Sequence, residues 1–598
     1  MITVAEYLSR RLKQLGVDTL FSIPGNYTAE FLLAADREGI ECVGTTNELE
    51  AGYAADAYAR YRGIGVCSAT YGVGSHSLFN AISGAYVEFC PVVLVNGSPP
   101  PVKFENLRNR GILFAHAIDP IRTDATIFAQ VTVAATVVDD PFGAPTEIDR
   151  VLVECIRQSR PVYIEVLQEI WSAECRDPQG ELDVAWPANP LHGAASQAVA
   201  DAIGEKVRQA KCPVLWGGEL LQRRGLVPYF DALVCQTGFP YTTTLMGKGL
   251  IPETKYPDQF IGVYDSKFAP SSVRDVVENS DCLIALGTIM SDFYADIVIS
   301  SHDRLVLASD DATRVGPALY PNAGLANLMP RLLEVLAPKQ ETFVLEGLEA
   351  LVENRKQRIS FASSAVERAS SESTPVTYSN FFDRLADSLD ENSTLLVDTS
   401  LALFPSAEVP IRRTNGFVAQ TAWLSIGYTC GATLGVATAE PASRQITVVG
   451  DGGFQMIPQS FSTLVRQGSR AIVFVLDNGT YGIEQYLIDM QILPPDERFF
   501  HNNLPEASFF DVLPRWNYAK LGKAFGGRGL NIKSLEELDS FLSEPGETPI
   551  LVGVKIDQHD LPPEIEATIE REPTLESTLS ETRDHKNRQV PIRLEGFN

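Results

Sequence analysis

The sequence predicts an α/β protein built from doubly wound parallel sheets. Short apolar runs that are rich in β-branched residues alternate with helix-length amphipathic stretches along the chain. Nearly continuous apolar strands that end in Gly, Asp, Asn or Ser are typical of parallel sheets covered by helices on both faces. The runs are GIGVCSAT, PVVLVNGS, RPVYIEVL, CPVLWGG, DCLIALGT, RLVLASDD, STLLVDTS, QITVVGDG, AIVFVLDN and PILVGVKI.

The length and two polar interruptions predict several domains. A chain of 598 residues is too long for one ordinary domain. Stretches rich in Pro, Gly, Ser and charge at residues 173–193 and 369–379 have the composition of linkers. The resulting blocks are three predicted domains, at residues 1–180, 190–350 and 375–560, and a charged C-terminal tail at residues 561–598.

Composition and charge exclude several classes of protein. The chain is 45% hydrophobic and 21% charged, which fits a globular protein with large cores. A net charge of -27 argues against a nucleic-acid partner, because phosphate backbones need clustered Lys and Arg. No apolar run reaches the roughly 18–20 residues of a membrane span. The nine cysteines are scattered without a CxxC pair, so we expect a cytoplasmic protein with reduced thiols and no membrane partner.

Two polar strand ends, 27 residues apart, indicate a metal site. Asp451 follows the run QITVVG, and Asn478 follows AIVFVLD. Ligands of parallel sheets bind beyond the carboxyl ends of the strands, and Gly450 and Gly452 allow a tight turn there. A carboxylate, an amide oxygen and the nearby Thr480 carbonyl are ligands that Mg²⁺ prefers when it also holds phosphate. Gly-Asp-Gly alone could be a simple turn, but the second strand end favours a Mg²⁺–phosphate site.

Several segments resemble thiamine diphosphate enzymes of the pyruvate and indolepyruvate decarboxylase type. The GDG…N pattern is similar to the diphosphate-binding motif of that family, and the similarity extends over about residues 1–560. The resemblance implies pyrimidine-binding, central and diphosphate-binding domains, with thiamine diphosphate and Mg²⁺ as cofactors. The other segments that carry it are VDTLFSIPGNYTAEFL, TTNELEAGYAADAYARYRGIG, TTTLMGKGLIPETKYPDQFIGVY, CLIALGTIMSDF and NGTYGIEQ.

The resemblance also implies roles for individual residues. Glu48 would activate the cofactor through its pyrimidine ring, and Ile426 would hold the cofactor bent. The Leu424 carbonyl and Thr399 would contact the same ring, and Glu484 matches a catalytic glutamate of the decarboxylases. The remaining expected cofactor contacts, which include the metal ligands Asp451, Asn478 and Thr480, are Gly450, Asp451, Gly452, Gly453, Asn478, Thr480, Tyr481, Gly482 and Ile483.

By the same resemblance, the expected reaction is the non-oxidative decarboxylation of a 2-oxo acid through an enamine. The alternative is an acyloin-forming carboligase, which would join the decarboxylated acid to a second carbonyl compound. In this family the pyrimidine side of one chain faces the diphosphate side of another, so a homodimer with shared sites, or a homotetramer, is expected. A non-catalytic paralogue is disfavoured, because Glu48, Asp451, Asn478 and Glu484 are all retained.

The chain departs from the family pattern in its expected proton relay. Asn26 in IPGNYT stands where relatives have an acid, and Ala115 precedes His116 where relatives have a pair of histidines. An amide cannot donate and regain a proton as a carboxyl does. His76 in GVGSHS replaces an apolar residue and could act as a substitute acid/base, or it could be a structural histidine. The hypothesis is slow aldehyde release, which favours carbon–carbon bond formation.

Two leucines suggest the size of the substrate. Leu403 stands where pyruvate-specific relatives have an aromatic residue, and Leu487 would line the same space. These smaller walls predict a 2-oxo acid larger than pyruvate, with an aromatic or branched side chain. The tail past Leu561 matches the position of a segment that closes over the site in relatives, so it is a predicted lid.

Overall fold

The structure is a computed structural model that describes residues 1–118, 123–185, 190–336, 347–361 and 374–569. Its helices and strands form three α/β units, and each unit is built around one large sheet. Most of the predicted tail, residues 570–598, and parts of both predicted linkers lie outside the described residues. The predicted domain boundaries therefore remain predictions.

The first sheet has six parallel strands in the order β3-β2-β4-β5-β7-β6, and β1 pairs with β8 in a separate ribbon. The strands are β1 (Ile2–Thr3), β2 (Thr19–Ser22), β3 (Glu41–Gly44), β4 (Gly65–Thr70), β5 (Val92–Ser98), β6 (Ala134–Val138), β7 (Val162–Leu167) and β8 (Glu174–Cys175). The helices of this part are α1 (Val4–Gln14), α2 (Ala29–Arg37), α3 (Glu48–Arg62), α4 (Phe79–Val87), α5 (Pro101–Arg108), α6 (Thr123–Phe128) and α7 (Ala144–Gln158).

The second sheet has seven strands in the order β11-β10-β9-β12-β13-β14-β15. They are β9 (Pro213–Gly217), β10 (Tyr241–Thr243), β11 (Phe260–Val263), β12 (Cys282–Leu286), β13 (Leu305–Ala308), β14 (Ala312–Val315) and β15 (Ala318–Pro321). Its helices are α8 (Pro190–Gln209), α9 (Leu220–Arg223), α10 (Val227–Thr237), α11 (Ser271–Asn279), α12 (Ala295–Ser300), α13 (Leu325–Val335) and α14 (Leu348–Phe361). At one end of this sheet β14 pairs antiparallel with both β13 and the edge strand β15, so the sheet is mixed rather than purely parallel.

The third sheet has six parallel strands in the order β17-β16-β18-β19-β21-β20. They are β16 (Ser393–Val397), β17 (Phe417–Val418), β18 (Arg444–Gly450), β19 (Ile472–Asp477), β20 (Arg528–Ile532) and β21 (Ile550–Lys555). Its helices are α15 (Tyr378–Ser388), α16 (Tyr428–Ala439), α17 (Asp451–Met456), α18 (Ser460–Arg466), α19 (Gly482–Gln491), α20 (Phe499–Asn502), α21 (Tyr518–Ala524), α22 (Leu535–Ser543) and α23 (Pro563–Ile569).

The predicted fold class is confirmed. Each of the ten apolar runs coincides with a strand of one of the three large sheets to within two residues at its start, because strands covered on both faces are apolar throughout. The sequence gives a weaker signal for the hairpin β14–β15, whose residues are largely half-buried or exposed. A strand with one solvent-exposed face lacks the continuous apolar pattern that predicts the buried strands.

Helix α3 connects two parts of the chain. It belongs to the part that forms the first sheet (the first part) and holds it against the part that forms the third sheet (the third part). It begins after Asn47, whose side chain accepts the Glu50 amide, and it packs along α16. Added Cβ atoms at Gly431 and Gly435 of α16 would overlap α3, so the two helices touch with little between them. The backbones of the two helices are therefore in close contact.

No helix in the described ranges is long and apolar enough to cross a membrane. None of the nine cysteines, all of which lie in the described residues, forms a disulfide, and seven of them are buried. The buried ones behave as small apolar side chains of the cores.

Candidate active site

A cavity of about 200 Å³ opens at the carboxyl edge of the third sheet. It is formed by segments that follow three neighbouring strands, β16, β18 and β19, together with the turn before α16 and the start of α19. Most of the residues singled out from the sequence line it. They are Thr399, Leu403, Leu424, Ile426, Gly450, Asp451, Gly452, Gly453, Asn478, Thr480, Tyr481, Gly482, Ile483, Glu484 and Leu487.

The Asp451 carboxylate joins two of these strand ends. One oxygen accepts the Gly479 amide at 2.8 Å, and the other accepts the amide of Gly452 at 3.0 Å. The Asn478 side-chain oxygen accepts the Thr480 amide at 3.0 Å. Burial, with a smaller contribution from the nearby Asp477 charge, raises the pKa of Asp451 to about 7. A divalent cation bound beside this carboxylate would lower its pKa again.

The residues around Asp451 fit a Mg²⁺ ion that carries a diphosphate. The Thr480 hydroxyl is buried without a hydrogen-bond partner in the described part of the chain. Thr480 forms an isolated antiparallel bridge with Val512, and its flanking residues make the bonds of that bridge, so its own carbonyl points away from Val512. A Cβ at Gly452 would overlap the Tyr481 ring, so only glycine fits there. Asp451, Asn478 and the Thr480 carbonyl are thus available as hard oxygen ligands.

The turn that carries Leu424 and Ile426 is held by a buried acid that sequence reasoning missed. Asp398 accepts the Gly427 amide at 2.7 Å and both the amide and the hydroxyl of Thr429 at 2.9 Å. Burial raises the pKa of Asp398 to about 6. Leu424 itself adopts a left-handed conformation, with φ of 59°, which costs energy for a residue with a branched side chain. The conformation of the turn therefore depends on the hydrogen bonds that Gly427 and Thr429 donate to Asp398.

A second buried acid holds the other side of the same turn. One oxygen of Glu88 accepts the backbone amides of Thr421, Ala422 and Trp423 at 3.0–3.1 Å. Its other oxygen accepts the Arg60 guanidinium at 2.7 Å. Glu88 lies just after α4, so the first part of the chain positions a cavity loop of the third. The sequence offers no local signal for this contact, because the partners are backbone amides more than 300 residues away.

Aromatic residues from the second part of the chain complete the wall of the cavity. Phe268 and Phe293 line it beside Phe404, and the ring centroids of Phe268 and Phe404 are 4.4 Å apart. Tyr378 also lines the cavity, and its hydroxyl accepts the Asn478 side-chain amide at 3.4 Å. None of these four was predicted, and for Phe268 and Phe293 the reason is that their approach depends on how the second and third sheets pack together.

The remaining predicted residues lie at the carboxyl edge of the first sheet. Asn26, Glu48, His76 and His116 follow β2, β3, β4 and β5, which are adjacent in the order β3-β2-β4-β5. Glu48 is the first residue of α3 and is half-exposed, whereas Asn26 and His116 are exposed. None of the four lines the cavity at the third sheet. Within the described residues, a single chain therefore presents two separate groups of site residues.

His116 is held in place by the loop after β4. Its φ is 63°, and an added Cβ at Gly72 would overlap its carbonyl oxygen. The Tyr71 hydroxyl donates to the Ala115 carbonyl, and the Tyr71 ring meets the His116 ring edge-on at 6.0 Å. The backbone at Ala115 and His116 is thus fixed even though the imidazole is exposed.

Comparisons with known proteins agree with this arrangement. Three models of thiamine pyrophosphate (diphosphate) enzymes match, the N-terminal TPP binding domain at residues 2–111, the central domain at 200–335 and the C-terminal TPP binding domain at 402–554. A pyruvate decarboxylase of Aspergillus fumigatus is 29% identical over 95% of this chain and 96% of its own. Pyruvate decarboxylase 4 of Arabidopsis thaliana is 30% identical over 87% and 81%. The indole-3-pyruvate decarboxylase of Azospirillum brasilense is 30% identical over 90% and 92%.

The fold and the matched domains define a thiamine diphosphate enzyme. The chain belongs to the family of thiamine diphosphate-dependent 2-oxo-acid decarboxylases. Thiamine diphosphate is the cofactor of this family, with Mg²⁺ as its usual partner metal.

Proposed function

We propose that this enzyme decarboxylates a 2-oxo acid larger than pyruvate, with an aromatic or branched side chain. The observation that carries the proposal is the single cavity in which the diphosphate-side residues meet next to a wall of Leu403, Leu487 and aromatic rings. Leu403 and Leu487 leave room beside Glu484, and the apolar wall would bury a large side chain.

The proposal assigns a separate role in cofactor binding or proton transfer to each of several residues that line the cavity. Asp451, Asn478 and the Thr480 carbonyl would hold Mg²⁺ and thereby the diphosphate. Ile426, the Leu424 carbonyl and Thr399 would contact and orient the thiamine part of the cofactor. When bound, thiamine diphosphate supplies a nucleophilic carbon and the electron sink into which CO₂ departs. Glu484, which lines the cavity at the start of α19, would exchange a proton with the reacting carbon.

A second copy of the chain completes the site. Glu48, His76, His116 and Asn26 are separated from the cavity in one chain, which supports a homodimer whose pyrimidine side covers the partner's diphosphate side. Large apolar side chains stand exposed near both groups, and such patches are typical of interfaces. Near the first sheet they are Val73, Ile112, Leu113 and Ile118; near the cavity they are Met456, Phe509, Phe510 and Val512. A dimer of dimers and a cytoplasmic location belong to the same proposal.

The experiment that tests the proposal is a panel of 2-oxo acids with thiamine diphosphate and Mg²⁺. The panel compares pyruvate with branched-chain and aromatic acids and records CO₂ release and the organic product. We expect a higher kcat/KM for the larger acids. Pyruvate as the best substrate would contradict the size assignment, and no CO₂ from any acid would favour a non-catalytic paralogue.

Carboligation is the second candidate function. The observation that favours it is the pair of departures at Asn26 and Ala115, which remove two groups that could move protons. Slow protonation of the carbon that has lost CO₂ gives a second carbonyl compound time to react there. The same panel, repeated with an added aldehyde, tests this candidate. Free aldehyde as the only product under both conditions would rule it out.

A further inference from the structure

We infer that Asp124 positions His76 as an acid/base on the pyrimidine side of the active site. The two side chains form a pair in which His76 Nε2 and Asp124 Oδ1 are 3.1 Å apart. The Asp124 side chain is 10% exposed, and that of His76 is 30% exposed. The inference rests on the proposed function, because it assigns the source of a proton for that reaction.

The carboxylate of Asp124 is fixed from several directions. Its second oxygen accepts the Gly72 amide at 2.7 Å, the Asn96 side-chain amide at 3.2 Å and the Ser75 hydroxyl. Asn96 also donates to the Tyr163 hydroxyl at 2.7 Å. These partners come from β5 and from the loop after β4, so the direction of Asp124 Oδ1 is set by the sheet itself. An acid held in this way restricts the orientation of the imidazole that it contacts.

The pair has the chemistry of a histidine–carboxylate couple. An ionised carboxylate only accepts hydrogen bonds, so the neutral His76 ring carries its proton on Nε2 and keeps a lone pair on Nδ1. Nδ1 can then take up a proton, and Asp124 stabilises the imidazolium that results. That proton, taken up from solvent, would then pass to the reacting carbon: the Nδ1–H bond breaks, a bond from hydrogen to the carbon forms with the carbon's own electron pair, and His76 returns to its neutral form.

The position of the pair matches the gap in the expected relay. His76 follows β4, which lies between β2, with Asn26 beyond its end, and β5, which precedes the His116 loop. Gly72, which donates to Asp124, is packed against the His116 carbonyl. Asp124 could have the purely structural role of holding the loop after β4, but its hydrogen bonds from Gly72 and Ser75 already hold that loop. The further contact with the partly exposed His76 imidazole adds little stability to the loop, whereas it would orient a histidine that carries protons.

The first test reads the apo protein and needs no turnover. In the deuterated full-length chain with ¹⁵N-labelled histidine, side-chain NMR should give one His76 signal of the Nε2–H tautomer, identified by its loss in His76→Gln. Asp124→Asn, whose amide can donate to Nε2, should move that signal toward the other tautomer. The matched control is His302→Gln, because His302 also contacts an aspartate but lies in the second part of the chain at 50% exposure. If the chemical shift of the His76 signal is the same in Asp124→Asn as in the wild type, the inference is overturned.

The second test distinguishes a role of Asp124 in positioning His76 from a purely structural role in holding the loop after β4. Asp124→Asn should lower aldehyde release by about tenfold or more, while CO₂ release in a single turnover changes by less than about twofold. In the His76→Gln background, Asp124→Asn should have no further effect on aldehyde release, because it acts through His76. Additive losses overturn the inference. If Asp124→Asn does not fold, recovery of aldehyde release in His76→Ala by added imidazole supports the inference, and no recovery overturns it. Absence of CO₂ in the wild type would instead count against the proposed function.

Discussion

The Asp451 carboxylate accepts a hydrogen bond from the Gly479 backbone amide at 2.8 Å. This bond crosses from the end of β18 to the end of β19 and keeps the acid beside Asn478. The predicted metal ligands Asp451 and Asn478 are therefore held together by the protein's own hydrogen bonds, and such preorganisation reduces the entropy that binding must overcome.

Removing the Asp451 carboxylate should abolish stabilisation by the cofactor. Thiamine diphosphate and Mg²⁺ at about 100 times Kd should stabilise the wild type by about 2.7 kcal/mol, because they bind only the folded chain. Asp451→Ala should show almost none of this gain, and excess EDTA should remove it from the wild type. A thermal shift assay measures both. Asp557→Asn, an exposed acid of the same part of the chain, is the control and should behave as the wild type. An unchanged shift in Asp451→Ala would place the metal elsewhere.

How much of this site could be predicted depends on where each residue's partners lie. Asp451 and Asn478 follow apolar strands, so the topology of parallel sheets alone brings them together. Asp398 and Glu88 act on backbone amides of a turn, and nothing in their own neighbourhood marks them. The contact between His76 and Asp124 joins residues 48 positions apart across two strands. Phe268 and Phe293 reach the cavity only through the packing of one sheet against another.

Asp398 should be essential for the turn that carries Leu424 and Ile426. Asp398→Ala leaves buried donors of Gly427 and Thr429 without an acceptor, at about 1–3 kcal/mol for each unsatisfied group. We expect a loss of roughly 2–4 kcal/mol in the free energy of unfolding, together with weaker binding of thiamine diphosphate. Urea denaturation and cofactor titration measure the two effects. Asp390→Ala, a more exposed acid before β16, should lose far less. Equal losses in both variants would contradict a special role for Asp398.

Helix α23 should loosen as the pH rises. Burial, with a smaller contribution from Glu408, raises the pKa of Glu564 to about 7. The folded-state pKa lies above the unfolded value, so this carboxyl favours docking below about pH 4.5, and that contribution is lost as the pH rises through 7. The bond of 2.6 Å between the Tyr486 and Thr568 hydroxyls is the contact that should open.

Hydrogen exchange of residues 563–569 at pH 6 and pH 8 measures this loosening. The wild type should exchange faster at the higher pH, beyond the intrinsic effect of base. Glu564→Gln should remove the difference, because the amide does not ionise. Glu566→Gln, an exposed neighbour on the same helix, is the control and should keep it. A difference that persists in Glu564→Gln would assign the effect to another group.

Narrowing the cavity should change the preferred substrate. Leu403 is buried and lines the cavity, so Leu403→Phe adds volume where a large side chain of the substrate would lie. We expect kcat/KM for aromatic 2-oxo acids to fall by about tenfold or more, because overpacking costs about 1–3 kcal/mol, and kcat/KM for pyruvate to change less. Leu403→Met, which conserves volume, is the control. A uniform loss over all acids, with a lowered melting temperature, would mean that the variant damages the fold instead.

Breaking the proposed dimer should remove activity without unfolding the chain. Leu113 is 85% exposed beside the pyrimidine-side residues, and Leu113→Asp places a charge where the second copy would pack. We expect the variant to sediment as a monomer at concentrations where the wild type is a dimer, and its CO₂ release to fall in parallel. Ile299→Asp, at a residue that is 76% exposed in the second part of the chain, is the control and should remain dimeric and active. An active monomer would show that one chain closes its own site, because the partner would then contribute no residue that the reaction needs.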